Sequence, residues 1–348
     1  MTADVGVLIV GGGPVGLAAA IEARLAGLDV TIIEPRQGSI DKACGEGLMP
    51  GAVHALERLG VQPVGHDFAG IAYVSGTLRV EHAFRSGTGR GVRRTVLHEA
   101  LFRRAGELGV TWIAGKVAGL EQGDAGVTAT GVGFPPIRAD WVVGCDGLHS
   151  TVRRLAGLAG REVTGERRRF GIRRHFRVAP WTDLVEVHWT PEVEAYVTPV
   201  DAGTVGVALL GPRYLDFTST LTRVPGLADR LDGADVASTV RGAGPLRQRT
   251  KRRTAGRVLL AGDASGYVDA LTGEGLRVGF TQAAAAIRSI VGGDAQAYER
   301  EWMRATRDFR VLTSGLVAAA RSPLRSRVVP AAVASPSLFG MIVERLAR

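Results

Sequence analysis

The 348-residue chain is poor in cysteine, lysine and aromatic residues. Its two cysteines, Cys44 and Cys145, exclude a disulfide framework and make a reducing cytoplasm the default compartment. Lysine occurs only at 42, 116 and 251, so nearly all of the 43 basic residues are arginine. Arginine clusters stand at Arg167-Arg168-Arg169 after Glu166, at Arg173-Arg174, and at Arg252-Arg253 after Lys251. Aromatics make up 6% of the chain and do not interleave with these clusters. The net charge of +9 is therefore read as solvated arginine and anion binding, with no nucleic-acid partner. No run reaches the ~18 apolar residues of a membrane span, so no stable membrane insertion is expected. The apolar stretches at 6–10 and 15–21 are separated by glycines and preceded by Asp4, which argues against a targeting peptide. Metal-ligand spacings, a Ser/His/Asp set and a Walker loop are all missing, so no metal site is expected.

What the chain has is glycine, 48 residues of it, placed at the ends of buried runs. Val5–Val10 is short, apolar and β-branched, the pattern of a buried parallel strand. An alanine- and leucine-rich helix follows from Pro14 to Ala26, stopped by Gly27, and Val30–Glu34 is the next strand. This is a βαβ unit of a doubly wound fold. Amphipathic helices are expected at 50–60 and 95–108, and buried strands at 141–145 and 256–262. Between 168 and 211 the period changes to two, predicting antiparallel strands with one covered face. From 276 onward the pattern is helical, broken by Pro323, Pro330 and Pro336. The fold class is thus α/β. A Rossmann-like domain (1–165 and 245–300) carries an inserted antiparallel β-sheet substrate domain (166–244) and a helical C-terminus (301–348).

Three glycine motifs fit one ligand. Gly11, Gly13, Pro14 and Gly16 follow a strand and open a helix, where glycine permits the turn, the approach to a pyrophosphate and helix–strand packing. Glu34 ends the second strand and has a carboxylate suited to ribose hydroxyls. Asp146 and Gly147 stand in a second glycine turn, and Gly262 and Asp263 in a third. Together they imply FAD held along most of the chain. Gly273, Gly275 and Leu276 open a further helix, whose amides and dipole suit negative charge on the flavin ring.

With these motifs in place, the chain resembles the FAD-dependent oxidoreductases that include aromatic-ring hydroxylases and geranylgeranyl reductases. In that family an arginine before the second long helix contacts flavin, and Arg94 matches it. The Asp-Gly motif, here with Ser150 and Arg153, is thought to serve FAD and a transient nicotinamide donor, so Arg153 becomes the candidate for NAD(P)H. Asp263 is expected on the ribityl chain. Arg36, Gly45 and Val117 complete the expected FAD set. Gly266, Thr272–Gly275 and the loop Lys42–Gly47 look more like the reductase branch, and Cys44 in that loop is a candidate for flavin contact and catalysis.

The resemblance implies a monooxygenase that uses NADH or NADPH and O2 on a small apolar or aromatic molecule, as in secondary metabolism. The alternative is a reductase of isoprenoid or polyketide double bonds. A second Rossmann fingerprint is missing, so the reductant is a transient visitor. His175, His188 and Tyr196, on the inserted sheet, are the candidate substrate residues. The apolar segment 311–348 is expected to pack against the FAD-binding domain, with cover for the substrate pocket or contact with an anionic membrane as the alternatives, in a monomer or homodimer.

Overall fold

The computed structural model describes every residue except 1, 2, 163, 165–167 and 225. Glu166 and Arg167 of the first arginine cluster, and the expected boundary at 165–166, lie outside the described residues.

The apolar runs form the strands Ala3–Val10, Val30–Glu34, Ile137–Gly144 and Val258–Leu260. They lie side by side and parallel, with Val10 opposite both Ile33 and Gly144, and Gly144 opposite Leu260. This register decides the fold's function. It brings Gly11, Glu34, Cys145 and Ala261, each at or just past a strand's end, to one edge of the sheet. Backbone bonds lock the edge: Gly11 N–H to Ile33 O at 2.9 Å, Cys145 N–H to Val10 O at 2.7 Å, and Ala261 N–H to Gly144 O at 2.9 Å. Ligands of open α/β sheets sit in such crevices beyond the strands' carboxyl ends.

The helix Pro14–Leu25 begins on proline, whose missing N–H costs nothing at that position. It stops at Gly27, where φ is +79° and Leu28 N–H donates to Ala23 O at 2.9 Å. Leu17, Ala18, Ala19, Ala20 and Ile21 are all buried, since the helix lies between the sheet and the helices Arg94–Glu107 and Gly275–Val291.

The second sheet contains Phe170–Arg177, Thr204–Gly211, Glu194–Asp201 and Leu184–Trp189 as antiparallel neighbours. Two features differ from expectation. First, the sheet is not confined to 166–244: Gly70–Ser75 joins it, parallel to Leu184–Trp189, and pairs in turn with Leu78–Ala83. Second, Glu194–Asp201 and Thr204–Gly211 are covered on both faces, not one. Ala195, Val197, Val205 and Val207 pack against Phe217 and Leu221, whereas Tyr196, Ala208 and Leu210 pack toward Leu271, Val317 and Val329.

The C-terminal segment packs on more than one surface. Residues 311–320 end the helix Ala295–Ala320, which packs on Gly275–Val291, while Val328–Ala334 and Pro336–Ala347 lie on Leu78–Ala83 of the second sheet and the last helix ends against Gly51. Phe339 packs on Tyr73 with ring centroids 5.0 Å apart, and Val80, Phe339 and Val343 form a common cluster. The Glu344 carboxylate meets His82 Nε2 at 2.9 Å and accepts the Arg85 N–H at 2.8 Å. Among the described residues no single helix is long and apolar enough to cross a membrane.

Candidate functional site

One cavity of about 1290 Å³ runs from the carboxyl edge of the first sheet to the space between the second sheet and the C-terminal helices. It exceeds the roughly 300–1,000 Å³ of a pocket for one small molecule. Its two halves differ in chemistry. The first is walled by glycine backbone and by Glu34, Arg36, Lys42, Arg94, Asp146 and Asp263. The second is walled by residues such as Ile71, Val187, Leu210, Leu316, Phe339 and Ile342. The lining residues contributed by the second sheet and the C-terminal helices beyond residue 310 include none with a charged side chain.

The glycines separate into two kinds. A Cβ on Gly11 would lie 2.6 Å from Cys145 O, and one on Gly16 would lie 1.9 Å from Gly11 O, so these glycines serve close packing. Gly12, which the motif reading passed over, is also a packing glycine, since its Cβ would strike the Trp112 ring at 2.1 Å. By contrast, a Cβ on Gly13 or Gly45 would meet nothing within 4 Å, and both residues line the cavity. There the bare backbone faces open space, at the start of a helix with no side-chain cap and no acidic residue in its first turn. That is a cradle for phosphate. Two polar atoms on the wall are buried without a partner: Arg94 Nε and Glu274 Oε1. Buried polar groups are rarely left so. The cradle, the orphaned donor and the elongated shape fit FAD.

Glu34 is buried and its carboxylate accepts from Gly12 N–H at 2.9 Å, Arg36 N–H at 3.0 Å, and Arg36 Nε and Nη2 at 2.7 and 2.9 Å. Burial raises its pKa, but the Arg36 guanidinium and the two N–H groups outweigh that and hold it below the ordinary value. The lone pairs expected for ribose are thus engaged by the chain itself. Arg36, whose side chain is 56% exposed, is the partner free to give way.

Asp146 caps the helix Thr151–Leu155, accepting from the Ser150 hydroxyl and from Thr151 and Val152 N–H at 2.6 and 3.1 Å. Burial lifts its pKa against those bonds. Gly147, Val117, Gly273, Gly275 and Leu276 line the cavity, as do Pro14 and Asp263. Asp263 accepts from Lys42 Nζ at 3.0 Å. Gly262, at φ +62°, donates to Gln282 Oε1 at 2.7 Å, and a Cβ there would lie 3.2 Å from Val15. Cys44 lines the cavity half-buried, and its Sγ accepts Glu46 N–H at 3.4 Å. Burial raises the Glu274 carboxyl to about 7, against the opposing pull of Arg277, whose Nε lies 2.7 Å away.

Three candidates stand elsewhere than expected. Arg153 is not on the wall: it is buried and donates to the Leu148 and Ala264 carbonyls at 2.7 and 3.2 Å and to Gln248 Oε1 at 3.0 Å. It braces two of the glycine motifs. His188 does not line the cavity either, and its Nε2 meets Glu186 Oε2 at 3.2 Å. His175 lies behind the wall and is bonded to Glu46. Tyr196 does line it, with its hydroxyl donating to Leu271 O. The sequence reading missed Tyr73 and Met49, because their place depends on which strands pair and which helices cover them, and it raised the C-terminal wall only as an alternative.

A family model described as "FAD binding domain" matches residues 4–209. A rifampicin monooxygenase of Streptomyces venezuelae is 34% identical over 164 residues, 44% of this chain; the match spans only 34% of that relative's length. A digeranylgeranylglycerophospholipid reductase 1 of Methanopyrus kandleri is 29% identical and is matched over 87% of each chain. Among solved structures, a flavoprotein/dehydrogenase from Cytophaga hutchinsonii superposes with a TM-score of 0.86 at 18% identity, over 99% of this chain and 92% of that one. At that identity the likeness establishes the fold.

Proposed function

The chain belongs to the FAD-binding-domain family, and on that premise we propose that it is a FAD-dependent monooxygenase of an uncharged, largely apolar metabolite. The observation that carries the reading is the single cavity joining a phosphate cradle to a wall free of charged side chains. FAD, once bound, would take electrons from a transient NADH or NADPH and activate O2.

The chain's own residues would do the following. Gly13 and the first turn of Pro14–Leu25 receive the pyrophosphate, where helix-end amides favour negative charge. Glu34 receives ribose hydroxyls as Arg36 swings aside. Lys42 holds the Asp263 carboxylate in place at the wall, and Arg94 Nε supplies the unused donor. Glu274, its carboxyl raised by burial to about 7, presents the unpaired Oε1 at the wall. Tyr196 fixes the loop before Gly275–Val291 through Leu271 O. The apolar wall keeps water from the reacting centre and selects a neutral substrate, since a carboxylate or phenolate would find no counter-charge there.

A second reading, reduction of an isoprenoid or polyketide double bond, is favoured by that same apolar wall and by the acid at Glu274. Anaerobic reduction of the holoprotein in the presence of candidate substrates separates the two. Product formed before O2 is admitted identifies a reductase; an oxygenated product formed only afterwards identifies a monooxygenase. Protein that holds no FAD even after reconstitution overturns both.

A further inference from the structure

Five wall residues of the C-terminal segment are exposed to solvent: Val311 and Gly315 on Ala295–Ala320, Ala331 and Ser335 in and just after Val328–Ala334, and Leu338 on Pro336–Ala347. A residue that lines a cavity and also meets solvent stands at an opening, so these helices frame a mouth to the apolar half. Val311 is 65% exposed and Leu338 52%, and Met341, one turn beyond Leu338, is 63% exposed. Apolar side chains scattered over a surface need no explanation, but these gather around one opening.

The free charge around the mouth has one sign. Residues 303–348 include eight arginines and two acids. Asp308 is held by Arg345 Nε at 2.6 Å, a pair that ties the last helix to Ala295–Ala320 beside the mouth. Glu344 is buried against His82 and the Arg85 N–H. Arg325 turns inward to Glu194. Arg307 stands one helical turn before Val311, Arg304 two turns before it, and Arg327 one turn before Ala331. All three are exposed and have no carboxylate partner among the described residues. Residues three or four apart share a helix face, so these cations rim the same surface that carries the apolar residues.

We propose that this face docks peripherally on an anionic lipid bilayer, with the mouth of the cavity turned toward the lipid. Cations beside an apolar face attract anionic headgroups while the apolar side chains leave water. Val311, Leu338 and Met341 would enter the boundary between headgroups and acyl chains, and Arg304, Arg307 and Arg327 would meet phosphate. The contact is shallow, since among the described residues no single helix is long and apolar enough to cross a membrane. A second copy of this chain fits less well. A two-fold contact through this face would set arginine against arginine around the same apolar centre. The choice of lipid over another acidic surface rests on the reading that the substrate is uncharged and apolar, because such a molecule collects in lipid and not in water.

Docking is measured without substrate. FAD-loaded protein is sedimented with vesicles of phosphatidylglycerol and phosphatidylcholine in equal parts, and with vesicles of phosphatidylcholine only. Binding is expected to the first and not to the second, and it should weaken as salt is raised. Met341→Glu, and Arg304→Ser combined with Arg307→Ser, are expected to lower the partition coefficient roughly tenfold or more at unchanged FAD content and melting temperature. None of these three residues lines the cavity. Where either variant fails to fold, the other decides. Variants that bind as the wild type does overturn the proposal. A dimer in gel filtration that Met341→Glu dissociates also overturns it, because a second copy then covers the face. Wild-type protein that holds FAD and stays in the supernatant removes the docking surface and keeps the cofactor reading. Protein that pellets with the mixed vesicles yet cannot be loaded with FAD supports the surface and removes that reading.

Discussion

Arg169 donates from Nε to Asp269 across 3.0 Å, tying the start of the strand Phe170–Arg177 to the loop that leads into Gly275–Val291. Arg169 also gives Nη2 to Glu194 at 2.6 Å, and Glu194 takes Arg325 Nη1 at 2.6 Å. Asp269 accepts Leu271 N–H at 3.1 Å, and Leu271 O receives Tyr196. Sheet, cavity loop and C-terminal segment are thus joined through buried charge. Removing one member leaves its partners uncompensated, which typically costs about 3–5 kcal/mol. Arg169→Met is expected to lower stability by that order in urea unfolding. An unchanged midpoint would mean that the pair adds nothing.

The two kinds of glycine make opposite predictions. Gly13→Ala places a methyl in open space at φ −70°, so the fold should keep its stability within about 1 kcal/mol while FAD affinity falls. Gly16→Ala drives a Cβ to 1.9 Å from Gly11 O and should destabilise the protein even without cofactor. Thermal melts of the flavin-free proteins, with FAD titrations, separate the effects. Equal melting points for the two variants would contradict the assignment.

Ala208→Phe should fill the apolar half of the cavity. Ala208 is 8% exposed and lies on the wall beside Tyr196 and Leu210. The flavin spectrum is expected to persist while apolar ligands stop perturbing it. His188→Ala, which removes a side chain off the wall, should leave that perturbation in place. The reverse pattern would move the substrate to another site.

Glu274 sets a pH dependence. Its folded pKa of about 7 lies above the unfolded value of 4.5, so the folded state binds the proton more tightly. Stability from this group is complete below pH 4.5 and is lost as pH rises through about 7. The change corresponds to about 3 kcal/mol over that window. Glu274→Gln should flatten the dependence in flavin-free protein. A slope equal to wild type would assign it to another group.

The sequence alone determined the strands, their glycine turns and the first helix. These are local decisions: a β-branched run prefers the pleat, proline starts a helix, and glycine ends it at positive φ. Gly11, Gly13, Glu34 and the Asp-Gly and Gly-Asp turns were legible for that reason, and parallel register then gathers them at one edge. Tertiary structure alone decided the rest. His188 and Tyr196 sit on neighbouring strands of one sheet, yet only Tyr196 reaches the cavity, because a sheet buried on both faces offers no polar side to mark inside from outside. Arg153 reads as a ligand contact, but surrounding carbonyls absorb its donors. Residues 311–348 read as apolar cover whose partner surface the sequence leaves open: the end of Ala295–Ala320 packs on Gly275–Val291, and the helices after it line the cavity. The pairing of Gly70–Ser75 with Leu184–Trp189 extends the second sheet beneath them, and burying their apolar faces there walls the cavity.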